Sequence, residues 1–341
     1  TTSTHDKIGH STITNIDKFT YDHSGKLLTH TNKINSNAEQ SIAVNEYDEL
    51  GTLIRKKVGG VATATELQVV DYTYNIRGWM TGINDVNNIG SDLFTFKVNY
   101  NTKDIATTTG YNSLFDGNIA ETVWRTKSDN KKRAYQYKYD DLSRIKGANY
   151  RENDNLLSGS GKYETAYEYD KNGNLSSTRR KGAAATYIDD LEYFGPISSN
   201  KLTGVFDDGG TSEGFESVYV SYSYEPNNGN LIADTGKGII NIEYNYLNLP
   251  TLVDFGGGKK IEYIYTATGA KLQKKVYNGS PTTTNYAGAF IYMNNVLKHF
   301  SQPEGFVEVS GSSFTYVYQY TDHLGNIRLN YSNVGSRTSP N

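Results

Sequence analysis

The sequence predicts an all-β protein, built from irregular repeats of antiparallel β-hairpins wound as one long spiral sheet. Three observations lead there. A short frame, Tyr-x-Tyr-Asp-x-x-Gly-x-Leu, recurs along the chain. Tyr supplies 29 of the 341 residues. Helical periodicity is nearly absent, and only 6 Pro interrupt the chain.

In chain order, the first copy is Tyr21-Asp22 with Gly25-Lys26-Leu27, and the second is Tyr47-Asp48 with Gly51-Thr52-Leu53. Looser copies stand at Tyr72/Tyr74 with Asn75 and Gly78, and at Tyr137/Tyr139 with Asp140 and Ser143. The fullest copy is Tyr167-Glu168-Tyr169-Asp170 followed by Gly173-Asn174-Leu175. Then come Tyr222/Tyr224 with Gly229, Tyr244/Tyr246 with Pro250 near the Gly slot, and Tyr263/Tyr265 with Gly269 and Leu272.

Two Tyr at i and i+2 of a strand point to one face, because side chains alternate along a strand. Aromatic rings also suit a pleated surface. The Asp after them supplies a carboxylate for the backbone of the turn it opens, and Gly three residues later tolerates positive φ. Each copy therefore reads as strand, tight turn, strand. A Tyr repeated at sheet period serves cross-strand packing before it serves as a platform for sugars. A lone hairpin is marginally stable, so neighbouring hairpins must pair. Copies recur irregularly, at roughly 20 to 40 residues, whereas propeller blades keep a period of about 40–45. The polar stretches 84–90, 152–161 and 207–214 are expected to be loops inserted between strands.

Composition narrows the function classes. Exchanging Tyr for Gly in the apolar set gives about 37%, below the ordinary 45–50% or so, which leaves little for a thick, dry core. An aromatic content of 13% is nevertheless too high for a disordered chain. The net charge is −3 with both signs interspersed, which argues against capture of nucleic acid or anionic membrane. No apolar run approaches the roughly 18 residues of a membrane span. The start, TTSTHDKIGH, has neither Met nor a signal pattern, so the chain is expected to be part of a longer protein whose export signal lies outside it. The absence of Cys excludes disulfides and thiolate chemistry.

Other chemical candidates reduce to turns. Asp170-Lys171-Asn172-Gly173-Asn174 has the flavour of a calcium loop, but its Gly falls in the fourth place instead of the sixth. His5, His10, His23 and His30 lack metal-ligand spacing and are expected at solvent-exposed loop positions. Gly256-Gly257-Gly258-Lys259-Lys260 lacks the phosphate-loop spacing and leads into a strand, so it reads as a hairpin turn, as do Gly59-Gly60 and Gly209-Gly210. Asp140-Asp141, Asp189-Asp190 and Asp207-Asp208 are adjacent acids. Glycosidase chemistry needs carboxylates across a cleft, so these are expected in turns and loops. No G-x-S-x-G elbow occurs. No catalytic residue, metal or cofactor is expected.

The Tyr-Asp hairpins resemble the YD repeats of the Rhs family. The closing stretch, Tyr318-Gln319-Tyr320-Thr321-Asp322-His323-Leu324-Gly325-Asn326-Ile327-Arg328-Leu329, resembles that family's repeat-associated core signature. The matching positions are Tyr320, Asp322, His323, Gly325, Asn326 and Arg328. The block from Tyr286 to Val307 is similar to the segment that precedes the signature in the branch found among bacteria with type IX secretion. The resemblance covers essentially the whole chain, and DHLGNIR is its most specific stretch.

This resemblance implies a YD-repeat segment over 1–273, a core region over 274–330 and a polar tail over 331–341 that continues into further sequence. Rhs proteins, the C subunits of Tc toxin complexes and the teneurins wind such hairpins into a hollow shell. In polymorphic toxins the shell encloses a C-terminal toxin domain. The resemblance thus implies a secreted or cell-surface structural protein, forming part of such a shell, whose partner is an encapsulated effector domain of the same polypeptide. Secretion-system components and surface glycans are further candidate partners. The alternative is a cell-surface adhesion or recognition protein that binds glycans or proteins. Self-cleaving members carry an Asp-Pro-x-Gly-type aspartyl-protease motif after the DHLG stretch. None occurs up to Asn341, so self-cleavage is not assigned. Asp322 and Arg328 are left with assisting release or with closing the last hairpins, and the structural role is favoured.

Overall fold

A computed structural model of the chain describes residues 1–61, 66–105, 110–159, 161–196, 199–211 and 213–333. The polar tail expected over 331–341 therefore lies outside the described residues from 334 onward. Among the described residues the chain consists of strands, turns and loops with no helix, so the all-β expectation holds. Among these described residues no helix is long and apolar enough to cross a membrane.

The strands succeed one another without interruption by other elements. They begin with β1 (Thr2–His5), β2 (Ile13–Tyr21), β3 (Leu27–Ile34), β4 (Gln40–Tyr47), β5 (Leu53–Val58), β6 (Gln68–Tyr74), β7 (Met80–Ile83) and β8 (Phe94–Asn99). Next are β9 (Glu121–Thr126), β10 (Lys132–Tyr139), β11 (Ile145–Glu152), β12 (Thr165–Tyr169), β13 (Leu175–Lys181), β14 (Tyr187–Phe194), β15 (Gly204–Asp207), β16 (Tyr219–Tyr224) and β17 (Leu231–Asp234). The last are β18 (Asn241–Tyr244), β19 (Pro250–Asp254), β20 (Lys260–Tyr265), β21 (Lys271–Tyr277), β22 (Thr282–Ala287), β23 (Phe290–Met293), β24 (Val296–Gln302), β25 (Gly305–Ser310), β26 (Ser313–Thr321) and β27 (Ile327–Ser332). Neighbouring strands pair antiparallel, as the hairpin frame requires, but in two sheets instead of one: β1–β17 form a 17-stranded sheet and β18–β27 a 10-stranded one, with no ladder between β17 and β18 among the described residues.

The chain divides into two compact units. The first comprises Thr1–Asn99, Thr122–Arg133 and Lys298–Asn341, and the second comprises Tyr100–Glu121 and Ala134–Leu297. In the first unit, Ile34, Ile42, Ile83, Phe94, Phe96 and Val98 from the N-terminal strands are buried together with Tyr316, Tyr318, Tyr320 and Tyr331 near the C-terminus. In the second, Ala134, Tyr150, Leu191, Val205, Val220 and Tyr292 are buried, and so are the polar Glu121, Gln136, Asn149 and Asp189. With few apolar residues available, polar side chains fill interior positions, and each needs a hydrogen-bond partner.

Several positions differ from expectation for local reasons. His30 is on β3 and only 4% exposed, not in a loop, because its Nε2 meets Asp17 Oδ1 at 2.8 Å and its ring stacks on Phe19. Asp189 and Asp190 stand in β14, where they pair with Arg180 and Arg179 across the ladder, so they are strand residues and not turn residues. The stretch 84–90 runs between strands, and so do residues 153–159 of the stretch 152–161, whose first residue, Glu152, still belongs to β11; yet Val86, Ile89 and Leu156 insert into the interior. Tyr246 does not form a strand pair with Tyr244. Strand β18 ends at Tyr244, and Tyr246 is 78% exposed in the following turn.

Candidate functional site

Each repeat turn is built by one side chain. In the fullest copy, Asp170 Oδ1 accepts the N–H groups of Asn172 at 2.8 Å and Asn174 at 2.9 Å, while Asp170 N–H donates to Asn174 O at 2.9 Å. Gly173 sits in the fourth place with φ of 88°, which only Gly adopts without strain. Asp22 and Asp48 hold their turns in the same way, with Gly25 and Gly51 in the same place. Looser copies keep the geometry with other residues: Asn245 replaces Asp, and Ser143 and Asn248 take the positive φ. Gly229 and Gly269 also have positive φ at their turns.

The two Tyr of a copy do different things. The pairing register slips at the second Tyr, between Thr20 and Tyr21, Glu46 and Tyr47, Glu168 and Tyr169, Ser223 and Tyr224, and Ile264 and Tyr265. Such a bulge re-aims one side chain. In several copies, though not at Tyr21, the second Tyr hydroxyl then donates to a main-chain carbonyl of the preceding hairpin. Tyr47 reaches Leu27 O at 2.9 Å, Tyr169 reaches Ile145 O at 2.8 Å and Tyr265 reaches Pro250 O at 3.0 Å, and in the Tyr244/Tyr246 copy, whose turn opens at Asn245, it is the first Tyr, Tyr244, that reaches Leu231 O at 2.6 Å. Tyr224 makes the same bond to Leu202 O at 2.7 Å. In most of these copies the acceptor is the residue in the Leu slot. The basic residue just before it lies over the same ring, as Lys26 over Tyr47, Arg144 over Tyr169 and Lys201 over Tyr224.

The signature departs from this pattern. One residue, Thr321, separates Tyr320 from the turn Asp, and β26 places Tyr316, Tyr318 and Tyr320 on one face. All three are buried in the first unit, at 9%, 1% and 3% exposure. Tyr316 Oη donates to Asn32 Oδ1 on β3, Tyr318 Oη to Ser41 O on β4 at 3.2 Å, and Tyr320 Oη to Gln68 Oε1 on β6 at 2.9 Å. Tyr331 of β27 lies opposite Tyr318, its ring 5.6 Å from that of Tyr318 and 5.5 Å from that of Tyr320. Burial raises the ionisation of all four phenols far above the ordinary range, so they remain neutral donors. Lys56 of β5 and Glu304 pair at 2.8 Å beside them.

The turn after β26 repeats the frame in a drier setting. Asp322 Oδ1 accepts Leu324 N–H at 2.9 Å and Asn326 N–H at 3.0 Å, and Gly325 has φ of 81°. Asn326 Nδ2 donates to both carboxylate oxygens, at 3.2 and 3.1 Å. Arg328 closes on Oδ2 with Nε at 2.8 Å and Nη2 at 2.6 Å. The Asp322 side chain is 0% exposed, and the Arg328 guanidinium lies 5.9 Å from the Phe96 ring centre. Burial opposes ionisation of Asp322, but the bonds from Asn326, Leu324 and Arg328 outweigh it and hold the carboxyl below its usual range. A carboxylate so saturated with donors acts as a clamp for the turn. His323 stacks on Phe96 at 5.8 Å, and burial lowers its basicity.

The structure thus brings Tyr320, Asp322, His323, Gly325, Asn326 and Arg328 together around one turn, while the repeat residues stay distributed over many turns. Sequence reasoning missed the other half of the site: Asn32, Ser41, Gln68, Phe94 and Phe96. The three acceptors lie some 250 or more positions away in the chain, and no local motif marks them. Among the described residues, no group of three or more His, Asp or Glu side chains could hold a metal ion.

No family model and no curated protein matches the chain. Among solved structures it is similar to the crystal structure of TcdB2-TccC3 without its hypervariable C-terminal region, with 14% identity and a TM-score of 0.57. That likeness covers 96% of this chain and 17% of the other. The structure of TcdB2-TccC3-Cdc42 gives 15% identity and a TM-score of 0.57 over 96% of this chain and 18% of that one. The chain therefore shares the all-β hairpin fold of these Tc toxin structures and spans less than a fifth of their length.

Proposed function

We propose that the chain is a wall segment of an exported Rhs-type shell that encloses a C-terminal effector domain of the same polypeptide until delivery. The observation that carries this reading is the likeness of fold to TcdB2-TccC3 across 96% of the chain. The internal construction fits a wall. Hairpins are paired to their neighbours through the backbone and are held again by a Tyr of the frame, which resists peeling of one hairpin from the next. The signature strand β26 satisfies its phenols on β3, β4 and β6, which supports a role in finishing the wall instead of in chemistry.

The test is protease protection of the intact gene product, carrying a tag on the sequence beyond Asn341. The segment behind Asn341 should resist digestion in the native protein and become sensitive at a denaturant concentration that unfolds the repeats. Digestion of that segment at the rate of the isolated segment, or a gene product that ends at Asn341, would overturn the reading. Recovery of the intact product from the cell exterior checks export.

A further inference from the structure

The second unit contains a depression that wall construction does not explain. Across β11, β12 and β13, Gly147 faces Ala166 and Ala166 faces Arg179. Cross-strand partners share a face, so two small residues stand side by side there. Ala166 lines a cavity of about 300 Å³ between longer side chains. Arg151, Arg179 and Lys181 line it together with Glu164, and Tyr111 and Tyr187 contribute aromatic rings.

Cations outnumber the carboxylate in this lining. Glu164 is occupied, accepting Lys181 Nζ at 3.1 Å and Gly161 N–H at 2.9 Å. Arg179 commits Nε to Asp190 at 2.9 Å. Arg151 commits one Nη to Asn149 Oδ1 at 2.7 Å and Tyr150 O at 3.0 Å. A guanidinium carries several N–H donors in a planar fork, and neither Arg forms another hydrogen bond among the described residues. Both therefore keep donors for a ligand.

Arg151 is also held from behind. Asn149, 4% exposed, donates to Gln136 Oε1 at 3.4 Å, and Gln136, 0% exposed, donates to Glu121 Oε1 at 3.0 Å. Glu121, 0% exposed, further accepts Asp104 N–H at 2.6 Å. A row of buried polar groups is costly to assemble unless each is hydrogen-bonded, and here each bond orients the next group in the row. Its physical consequence is to fix Asn149 Oδ1, and through it the guanidinium, before any ligand arrives.

We propose that this cavity binds a carboxylated saccharide, with Arg151 and Arg179 holding the carboxylate and Tyr111 and Tyr187 flanking the sugar ring. The planar fork of a guanidinium matches the paired oxygens of a carboxylate. A cavity at the small end of the ligand-pocket range takes a ring-sized body. Phenol rings offer an apolar face with a polar edge, which suits a hydroxylated ring. The site is independent of the shell reading and stands whether or not an effector is enclosed.

Calorimetric titration of the full chain tests it, with a galacturonate trisaccharide, the corresponding galactose trisaccharide and inorganic phosphate as probes. The uronate should bind saturably, and the neutral sugar and phosphate at least tenfold more weakly. Arg179→Gln, at a half-exposed position, and Arg151→Gln should each weaken uronate binding at least tenfold at an unchanged melting temperature. Arg151→Lys keeps the charge, loses the fork and should bind between Arg151→Gln and the unmodified chain. No saturable uronate binding by the unmodified chain, equal binding of either control, or full binding by Arg179→Gln would overturn the proposal.

Discussion

Asp322 and Asp170 occupy the same place in the same turn, yet they live in different solvents. The Asp170 carboxyl is held below its usual range chiefly by Asn174, with water at hand, whereas Asp322 is removed from water and relies on Asn326, Leu324 and Arg328. Charged hydrogen bonds in a dry site contribute more than exposed ones. Asp322→Asn should therefore cost about 1.5–3 kcal/mol at pH 7 in urea unfolding. Because the folded-state carboxyl is depressed, its contribution is fully present above the ordinary value of 3.8 and is lost as pH falls below it. The gap between the native chain and Asp322→Asn should accordingly narrow when unfolding is repeated at pH 3. A gap of constant size across this range would refute the clamp.

At the scale of the element, the hairpin is more than two strands and a turn. The bulge at the second Tyr aims that ring at the preceding hairpin, so the Tyr pair divides into a packing residue and a staple. The fullest copy allows the two to be compared. Tyr169→Phe removes the bond to Ile145 O and should cost about 1 kcal/mol. Tyr167→Phe removes a hydroxyl with no hydrogen bond among the described residues and should stay within about 0.5 kcal/mol. Equal losses from the two variants, read from thermal melts, would show that the hydroxyl bond does not distinguish them. The Asp, the Gly and the alternation were legible in the sequence because each acts within one hairpin. The staple was not, because its acceptor is a main-chain carbonyl that carries no side-chain signature.

At the scale of the whole molecule, the first unit is completed by residues from both ends of the chain. Tyr316, Tyr318 and Tyr320 find their acceptors 284, 277 and 252 positions upstream. Such contacts close long loops, at a cost in chain entropy that a local hairpin does not incur. Deleting 313–333 should leave β3, β4 and β6 with strands but without cover, raising amide exchange around Asn32, Ser41 and Gln68 at least tenfold. Unchanged protection there would mean that the N-terminal strands do not depend on the signature. Asp189 shows the same logic in the second unit: a fully buried carboxylate that takes Arg180 Nε at 2.5 Å and Phe215 N–H at 2.7 Å, joining β14 to a loop.

By itself, the sequence determined the all-β class, the hairpin unit and the position of its turns. Each depends on side-chain alternation, a carboxylate next to its own turn and a Gly free to take positive φ, all within a few residues. Tertiary structure alone decided which Tyr serve as staples, what the β26 phenols lie against, and why His30 is buried beside Asp17. It also decided that Asn149 and Gln136 stand behind Arg151. Those outcomes depend on which distant backbone and side-chain groups chain closure brings within hydrogen-bond reach, and periodicity and spacing carry no record of that distance.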